Sequence, residues 1–245
     1  MAFLSVSNLR KSIDGILLLD DISFSVEEGT ITLIAGPNGS GKSLLLKCLK
    51  GLEKTDSGAI EVDGRDAGKT KERMKLFGLV FQDTSLQIVG NTVEKDIAFG
   101  LENQKRSPEE IKAKVDEMLS LFHLEKERRK NPKILSGGER RRLAIAGVLA
   151  MESRILLLDE PLANLDYSSV RDVLKTLVEL KKKGITVLIV SHEAEKFLAL
   201  TDNTIIIRGG RIAAAGKSRD MLSSLRENDI YLPPLEFEDL RWIET

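Results

Sequence analysis

The sequence has very little cysteine, histidine and aromatic residue content. Its 245 residues include 1 cysteine and 2 histidines, and 4% of them are aromatic. A single cysteine excludes an internal disulfide framework and is typical of a reducing compartment. Cys48 lies in the apolar helical pattern LLLKCLK, which predicts a buried small side chain rather than a reactive thiol.

Long apolar runs and an excess of one charge sign are also absent. The longest apolar runs, such as ILLL and TVLIV, are far shorter than the roughly 20 residues that cross a membrane. The N-terminus shows no signal-peptide pattern, and the formal net charge of −1 argues against a general polyanion binder. These features predict a soluble, cytoplasmic protein.

Short β-rich runs alternate with helical patterns, which is typical of a parallel sheet buried on both faces. The predicted strands are 30–36, 77–81, 154–160, 185–190 and 203–208, and the predicted helices are 41–50, 107–122, 138–150, 168–183 and 192–200. The first 27 residues predict short alternating strands. The run IIIRGGRIAAAG predicts a hairpin with a Gly-Gly turn.

The middle of the chain is mostly helical and polar, which suggests a subdomain inserted into an α/β core. We expect a core of residues 1–82 and 151–216, a helical subdomain of residues 83–150 and a C-terminal extension of residues 217–245. Pro233 and Pro234 exclude a continuous helix through the extension. Its aromatic residues either fold back onto their own domain, which we favour, or form an extra dimer contact.

A phosphate-binding loop is predicted at GPNGSGKS, which matches G-x-x-x-x-G-K-[ST] between a strand and a helix. Backbone N–H groups of such a loop surround phosphates at a helix N-terminus. Lys42 would reach the β- and γ-phosphates, and Ser43 would give its hydroxyl to Mg²⁺. The predicted nucleotide-binding residues of this loop are Gly36, Pro37, Asn38, Gly39, Ser40, Gly41, Lys42, Ser43 and Leu44.

Two acidic residues follow the apolar run ILLL at residues 155–158. Asp159 would hold Mg²⁺ directly or through water. Glu160, one residue further, would accept a proton from the attacking water. A strand that merely ends in two solvated acids is the simpler alternative, and the phosphate-binding loop makes it the weaker one.

Further motifs follow in a fixed order: Gln82 after FGLVF, LSGGE at 135–139, LANLD at 162–166 and His192 after TVLIVS. With the loop and the acid pair, they make nearly the whole chain resemble the ABC-type ATPase family. The resemblance implies a P-loop NTPase core with a mostly parallel sheet, an N-terminal antiparallel β subdomain and an inserted α-helical subdomain. It also implies ATP and Mg²⁺ as ligands.

The same resemblance implies a head-to-tail dimer with a second copy or with a homologous ATPase subunit. One chain would close on the γ-phosphate held by the other, through Ser136, Gly137, Gly138 and Glu139. Asp166 would lie at the dimer seam.

Two further residues acquire catalytic roles from the resemblance, and one position departs from it. Gln82 would contact Mg²⁺ and the attacking water, and His192 would contact the γ-phosphate. Where the family has an aromatic residue that stacks on adenine, this chain has Ile13, with Ile16 nearby. Base selectivity is therefore left open.

The segment 81–103 resembles importers of the energy-coupling-factor and cobalt type. The shared residues are Gln87, Thr92, Val93, Asp96, Ala98, Phe99 and Gly100, whereas Thr84 replaces a common proline. Either Asn91 or Thr92 is expected to cap a short helix here. The cluster of Leu86, Ile88 and Val89 is expected to dock a transmembrane subunit at the cytoplasmic face of the membrane.

Two other functions fit parts of the sequence. A soluble ABC ATPase that acts on nucleic acid or the ribosome usually carries two cassettes or long insertions, and this chain shows neither. A regulatory, poorly hydrolysing cassette is disfavoured because Glu160, Gln82 and His192 are all present. The basic cluster at 126–133 is expected to be a solvated loop, and His123 a polar residue at a helix end.

Overall fold

The computed structural model describes residues 2–243, so Met1 and the last two residues of the predicted extension, Glu244 and Thr245, lie outside it. Two sheets form the framework. One is a four-stranded antiparallel sheet in the order β2-β1-β4-β5. The other is a six-stranded sheet in the order β10-β9-β3-β8-β7-β6, parallel except for the β9–β10 hairpin.

The strands are β1 (Leu4–Ile13), β2 (Ile16–Val26), β3 (Ile31–Ala35), β4 (Ser57–Val62), β5 (Arg65–Asp66), β6 (Phe77–Val80), β7 (Ile155–Asp159), β8 (Thr186–Ser191), β9 (Asn203–Arg208) and β10 (Arg211–Lys217). The helices are α1 (Lys42–Lys50), α2 (Thr70–Leu76), α3 (Val93–Asn103), α4 (Pro108–Leu121), α5 (Gly137–Ala150), α6 (Tyr167–Lys182) and α7 (Leu222–Glu227). The α/β architecture predicted from the sequence is confirmed.

The six-stranded sheet is buried on both faces, which explains why its strands are apolar throughout. Successive strand residues alternate between two cores, as the two-residue period of a strand requires. Leu157 points to a core shared with α1 and the antiparallel sheet. Leu156 and Leu158 point to a core shared with α3 to α6. The sheet therefore positions the loops at its carboxyl edge between two rigid layers.

Side-chain caps fix where the helices of the middle region begin. Thr92 caps α3, which settles the choice between Asn91 and Thr92. Ser107 and Glu110 form a capping box at α4, with Pro108 in its first turn. His123 follows the end of α4, as expected, and residues 125–127 form a short turn in the basic cluster.

The C-terminal tail folds back onto its own chain, as favoured from the sequence. Ile230, Leu232, Leu240 and Ile243 are buried in the core that contains α5 and α6. The ring of Trp242 lies 5.7 Å from that of Tyr167, at the start of α6. Burial of these apolar side chains holds the tail in place.

The helix predicted over residues 192–200 is wrong. The structure has only a 3₁₀ turn at Ala194–Lys196, with further turns after it. The N–H groups of Lys196 and Phe197 donate to the carbonyls three residues back, as in a 3₁₀ turn. Ala194, Phe197 and Leu198 are buried in the core, so tertiary packing overrides the helical pattern. Helices α2 and α7 and strands β4 and β5 were not predicted. Across residues 2–243, no helix is both long and apolar enough to cross a membrane.

Candidate functional site

The phosphate-binding loop connects β3 to α1, as its motif predicts. Gly41 has a φ of 100°, and a Cβ there would lie 2.7 Å from the Leu19 side chain, so only glycine fits. The ammonium of Lys42 donates hydrogen bonds to the carbonyls of Gly36 and Pro37, at 2.7 and 2.9 Å. Burial lowers the pKa of Lys42, while Glu160 and Asp159 act to raise it. The loop thus holds a buried cation at the mouth of α1.

Asp159 ends β7 beside the start of α1. Its Oδ1 accepts a 2.8 Å hydrogen bond from the Ser43 hydroxyl. Burial raises the pKa of Asp159, the Ser43 hydrogen bond lowers it, and the charge of Glu160 raises it. Two oxygen donors therefore meet where a phosphate-bound cation would lie, and such hard cations prefer oxygen ligands.

Glu160 is held by the two residues that follow Val190 in the chain. Its Oε2 accepts from the Ser191 hydroxyl at 3.0 Å, and its Oε1 accepts from the His192 backbone N–H at 3.0 Å. The Nδ1 of His192 also lies 2.9 Å from Oε1. Because a carboxylate only accepts, the tautomer with a proton on Nδ1 forms this bond and leaves Nε2 free to accept. Glu160 itself has a φ of 46°, in a region that non-glycine residues rarely occupy.

One cleft of about 520 Å³ brings these groups together. Its lining consists of Leu18, Asn38, Gly39, Ser40, Gly41, Lys42, Ser43, Leu44, Gln82, Glu160 and His192. The phosphate-binding loop, the acid after β7 and the two polar residues after β6 and β8 thus face one space. Gly36, Pro37 and Asp159 adjoin it through Lys42 and Ser43.

Ile13 does not belong to the lining of the cleft. It pairs with Ile16 across the β1–β2 hairpin, and both side chains are exposed to a substantial extent. The aliphatic residue of this hairpin that does line the cleft is Leu18, which lies where the register of the hairpin shifts. Such irregularities re-aim side chains. Sequence spacing alone could not reveal this.

The signature segment, residues 136–139, comprises the N-cap and first turn of α5. Ser136 is its exposed N-cap and forms a capping box with Glu139, whose pKa is lowered first by the Ser136 backbone hydrogen bond. A Cβ on Gly138 would lie 2.8 Å from the Ser169 side chain. The second glycine is thus required for close packing of α5 on α6, besides any contact with an anion. None of these residues lines the cleft of the same chain.

Asp166 is exposed and caps α6. Its Oδ1 accepts from the Ser169 N–H at 2.7 Å and from the Ser168 hydroxyl at 2.9 Å. The Ser169 backbone hydrogen bond is the main reason that the pKa of Asp166 is lowered. A capping role accounts for this residue within the chain, and its place at a dimer seam stays a prediction.

The predicted docking residues lie just beyond Gln82. Leu86 is 77% exposed and Val89 is 59% exposed, whereas Ile88 is half-buried against the core. Ile88 and Val89 line a surface groove of about 480 Å³. Its other lining residues are Ser85, Gly90, Asn91, Asn131, Pro132, Lys133 and Arg140.

The fold and the cleft define a P-loop nucleotide hydrolase, because a phosphate-binding loop, an acid after a buried strand and a held glutamate converge on one space. A family model described as "ABC transporter" matches residues 19–163. The chain belongs to the ABC transporter family, and it is an ATPase subunit of that family.

Individual relatives agree with this assignment. The energy-coupling factor transporter ATP-binding protein EcfA of Methanococcus maripaludis is 35% identical over 95% of this chain and 87% of its own length. The probable sulfate/thiosulfate import ATP-binding protein CysA of Chlorella vulgaris is 38% identical over 88% of this chain and 92% of its own length. The solved structure of cbiO1 from Clostridium perfringens, part of the ABC transporter complex cbiONQ, superposes with a TM-score of 0.85 at 34% identity, over 95% of this chain and 96% of that one.

Proposed function

We propose that this chain is the ATP-hydrolysing subunit of a membrane importer of the energy-coupling-factor or cobalt class, with a vitamin or a metal ion as cargo. The observation that carries the proposal is the exposed apolar surface at Leu86 and Val89, four to seven residues beyond the cleft residue Gln82. The resemblance of segment 81–103 to that importer class and the likeness to EcfA and cbiO1 support it.

Hydrolysis would use Glu160 as the general base. The hydrogen bonds from Ser191 and His192 hold the Glu160 carboxylate in one orientation. Little side-chain entropy would therefore be lost when this carboxylate binds the attacking water. Nε2 of His192 makes no bond to Glu160. With a proton on each ring nitrogen, His192 would donate from Nδ1 to Glu160 and from Nε2 to the γ-phosphate, which only accepts. The Lys42 ammonium would stabilise the negative charge on the β- and γ-phosphates.

Mg²⁺ fits the residues beside the loop. Ser43 and Asp159 present oxygens 2.8 Å apart, and Gln82 supplies an amide oxygen from the lining of the same cleft. These three residues would hold the ion, which, when bound, offsets phosphate charge and orients the phosphates.

ATP would be shared between two chains. The Ser136 end of α5 is exposed and carries the first N–H groups and the positive end of a helix dipole, which suit a phosphate. Since this end does not line the cleft of its own chain, it would close on the cleft of a second copy or a homologous subunit. Binding energy from the γ-phosphate would then favour the closed dimer until hydrolysis.

The docking surface, formed by Leu86, Ile88 and Val89, would bind a transmembrane subunit at the cytoplasmic face of the membrane. Closing of the ATPase dimer would then move that subunit. Ile88 and Val89 line a groove whose lining also includes Lys133 and Arg140, and the exposed Leu86 precedes them in the chain. Interfaces commonly combine an apolar centre with a polar rim. The net charge of −1 disfavours a role on nucleic acid.

The test is assembly with the transmembrane subunit that co-purifies with the wild-type chain from membranes. Leu86→Asp with Val89→Asp should abolish co-purification and ATP-dependent uptake in proteoliposomes, because burying two unpaired carboxylates at an interface is costly. Ile88 is left unchanged since it packs on the core.

The matched control is Leu52→Asp with Met74→Asp, at two exposed apolar positions away from the groove. This control should assemble and transport like the wild type. Normal assembly of the Leu86/Val89 variant would overturn the docking surface. Stimulation of hydrolysis by RNA instead of the membrane subunit would support the nucleic-acid alternative.

A further inference from the structure

The backbone directly before Gln82 is held by two side chains rather than by the sheet. Strand β6 is an edge strand that ends at Val80, so Phe81 has left the ladder. Its N–H donates to Gln87 Oε1 at 2.7 Å, and its carbonyl accepts from Arg141 Nη1 at 3.0 Å. Both polar groups of this peptide segment therefore depend on side chains from outside the strand.

Gln87 acts like a short neighbouring strand along the open edge of β6. Besides accepting from Phe81, its Nε2 donates to the Leu79 carbonyl at 2.8 Å. One amide group thus satisfies a donor and an acceptor two residues apart, as a strand would. Gln87 also lies between Leu86 and Ile88, within the proposed docking segment.

Arg141, on helix α5, donates the hydrogen bond to the Phe81 carbonyl. It is 4% exposed, and in residues 2–243 its Nε has no hydrogen-bond partner. Burial lowers the pKa of Arg141, while the charges of Asp83 and Asp159 raise it. A buried guanidinium with an unpaired N–H is costly. An apolar residue of similar length would avoid this cost, so the contact with Phe81 calls for an explanation beyond packing.

We propose that Arg141 and Gln87 are positioning residues that fix the placement of Gln82 in the catalytic cleft. This inference rests on the proposed function and adds to it. Arg141 links Gln82 to the helix that begins with residues 136–138, and Gln87 links it to the docking surface. Gln82 is therefore held to the two surfaces where a second ATPase subunit and a membrane subunit would bind.

The test is a double-mutant cycle on ATP hydrolysis by the purified full-length chain. Arg141→Met keeps much of the length of the side chain and removes its hydrogen bonds. It should lower kcat by about tenfold to a hundredfold, the effect of one charge-assisted hydrogen bond, and leave KM for ATP unchanged. In a Gln82→Ala background, the same substitution should change kcat by less than about twofold, because the residue that it positions is gone.

Arg142→Met is the matched control. Arg142 is also buried on α5, but it donates to the Phe122 carbonyl and pairs with Asp172, away from Gln82. Its effect on kcat should be the same with and without Gln82. A purely structural role of Arg141 would likewise give equal effects in both backgrounds, and this result would overturn the proposal.

Two further variants keep the test decisive. If Arg141→Met does not fold, Arg141→Lys, which keeps the charge and one donor, enters the same cycle with the same criterion. Gln87→Leu should also lose its effect in the Gln82→Ala background. Glu160→Gln serves as the reference: a wild type that hydrolyses ATP and a Glu160→Gln variant that does not would uphold the proposed function whatever the cycle shows.

Discussion

At the scale of single residues, the cleft is built from side chains that hold one another. Glu160 is oriented by Ser191 and His192, and Asp159 by Ser43. Each functional oxygen thus has a fixed direction before any ligand binds, which reduces the entropy lost on reaching the reactive arrangement. The side of the cleft next to the β1–β2 hairpin has an aliphatic lining, Leu18, in place of hydrogen-bonded polar side chains.

The selectivity of the cleft for adenine over guanine should therefore be weak. A base stacked on an aromatic ring gains on the order of 1–3 kcal/mol, and an aliphatic contact lacks this directional gain. We expect GTP to be hydrolysed at a rate comparable to ATP, measured by steady-state kinetics. Ile13 lies outside the cleft lining but is exposed on the same hairpin as Leu18, and a tyrosine there would add the aromatic ring that the cleft lacks. Ile13→Tyr should therefore tighten ATP binding, measured by nucleotide titration.

Leu18→Ala tests whether Leu18 contacts the nucleobase. This variant should weaken ATP and GTP binding to a similar extent. A strong preference of the wild type for ATP would show that another residue reads the base. An Ile13→Tyr variant with unchanged affinity would place the base on Leu18 alone.

At the scale of elements, α3 organises the docking segment through Asp96. This residue lies in the first turn of α3 and is 9% exposed. Its Oδ1 accepts from the N–H groups of Val89 and Gly90, both at 2.8 Å. Burial raises the pKa of Asp96, and the two backbone hydrogen bonds offset part of that effect.

Asp96→Asn should keep both hydrogen bonds through its carbonyl oxygen and remove the cost of the buried charge. Because the pKa of Asp96 is raised in the folded state, the folded chain binds more protons than the unfolded chain above the ordinary value of 3.8, and stability falls as the pH rises through the raised pKa. The melting temperature of the Asp96→Asn variant should therefore exceed that of the wild type increasingly from about pH 4, with a plateau toward neutral pH.

Asp239→Asn, at an exposed position, is the control for this pH profile and should follow the wild type. If the difference in melting temperature between the Asp96→Asn variant and the wild type does not change with pH, the carboxyl group of Asp96 is not perturbed by burial. Thermal unfolding followed by circular dichroism at each pH provides the comparison.

At the scale of the whole molecule, local motifs could be predicted and long-range contacts could not. The phosphate-binding loop and the acids at the end of β7 could be predicted from the sequence, because each motif and its flanking elements lie within a few residues of each other. The Phe81–Arg141 hydrogen bond joins residues 60 positions apart, and no sequence pattern records it. Leu18 was missed for a similar reason, since its direction depends on an irregularity in pairing.

The tail gives a confirmed prediction, and the segment after His192 gives a wrong one. The aromatic content of the tail favoured a tail that folds back onto its own domain. The tail does so, but its buried residues are the aliphatic Ile230, Leu232, Leu240 and Ile243, whereas Tyr231 is exposed. The helical pattern after His192 gives only 3₁₀ and other turns, in which Ala194, Phe197 and Leu198 are buried in the core. Tertiary contacts of this kind commonly override local propensity.

The central claim, ATP hydrolysis at this cleft with Glu160 as the base, is tested most directly by phosphate release from Glu160→Gln. The variant is compared with the wild type, each alone and with the other transporter subunits. Because removing a general base costs about two to four orders of magnitude in rate, turnover should fall by about that factor. ATP should still bind with near-wild-type affinity, since the phosphate-binding loop is unchanged. Near-wild-type phosphate release by this variant would contradict the account.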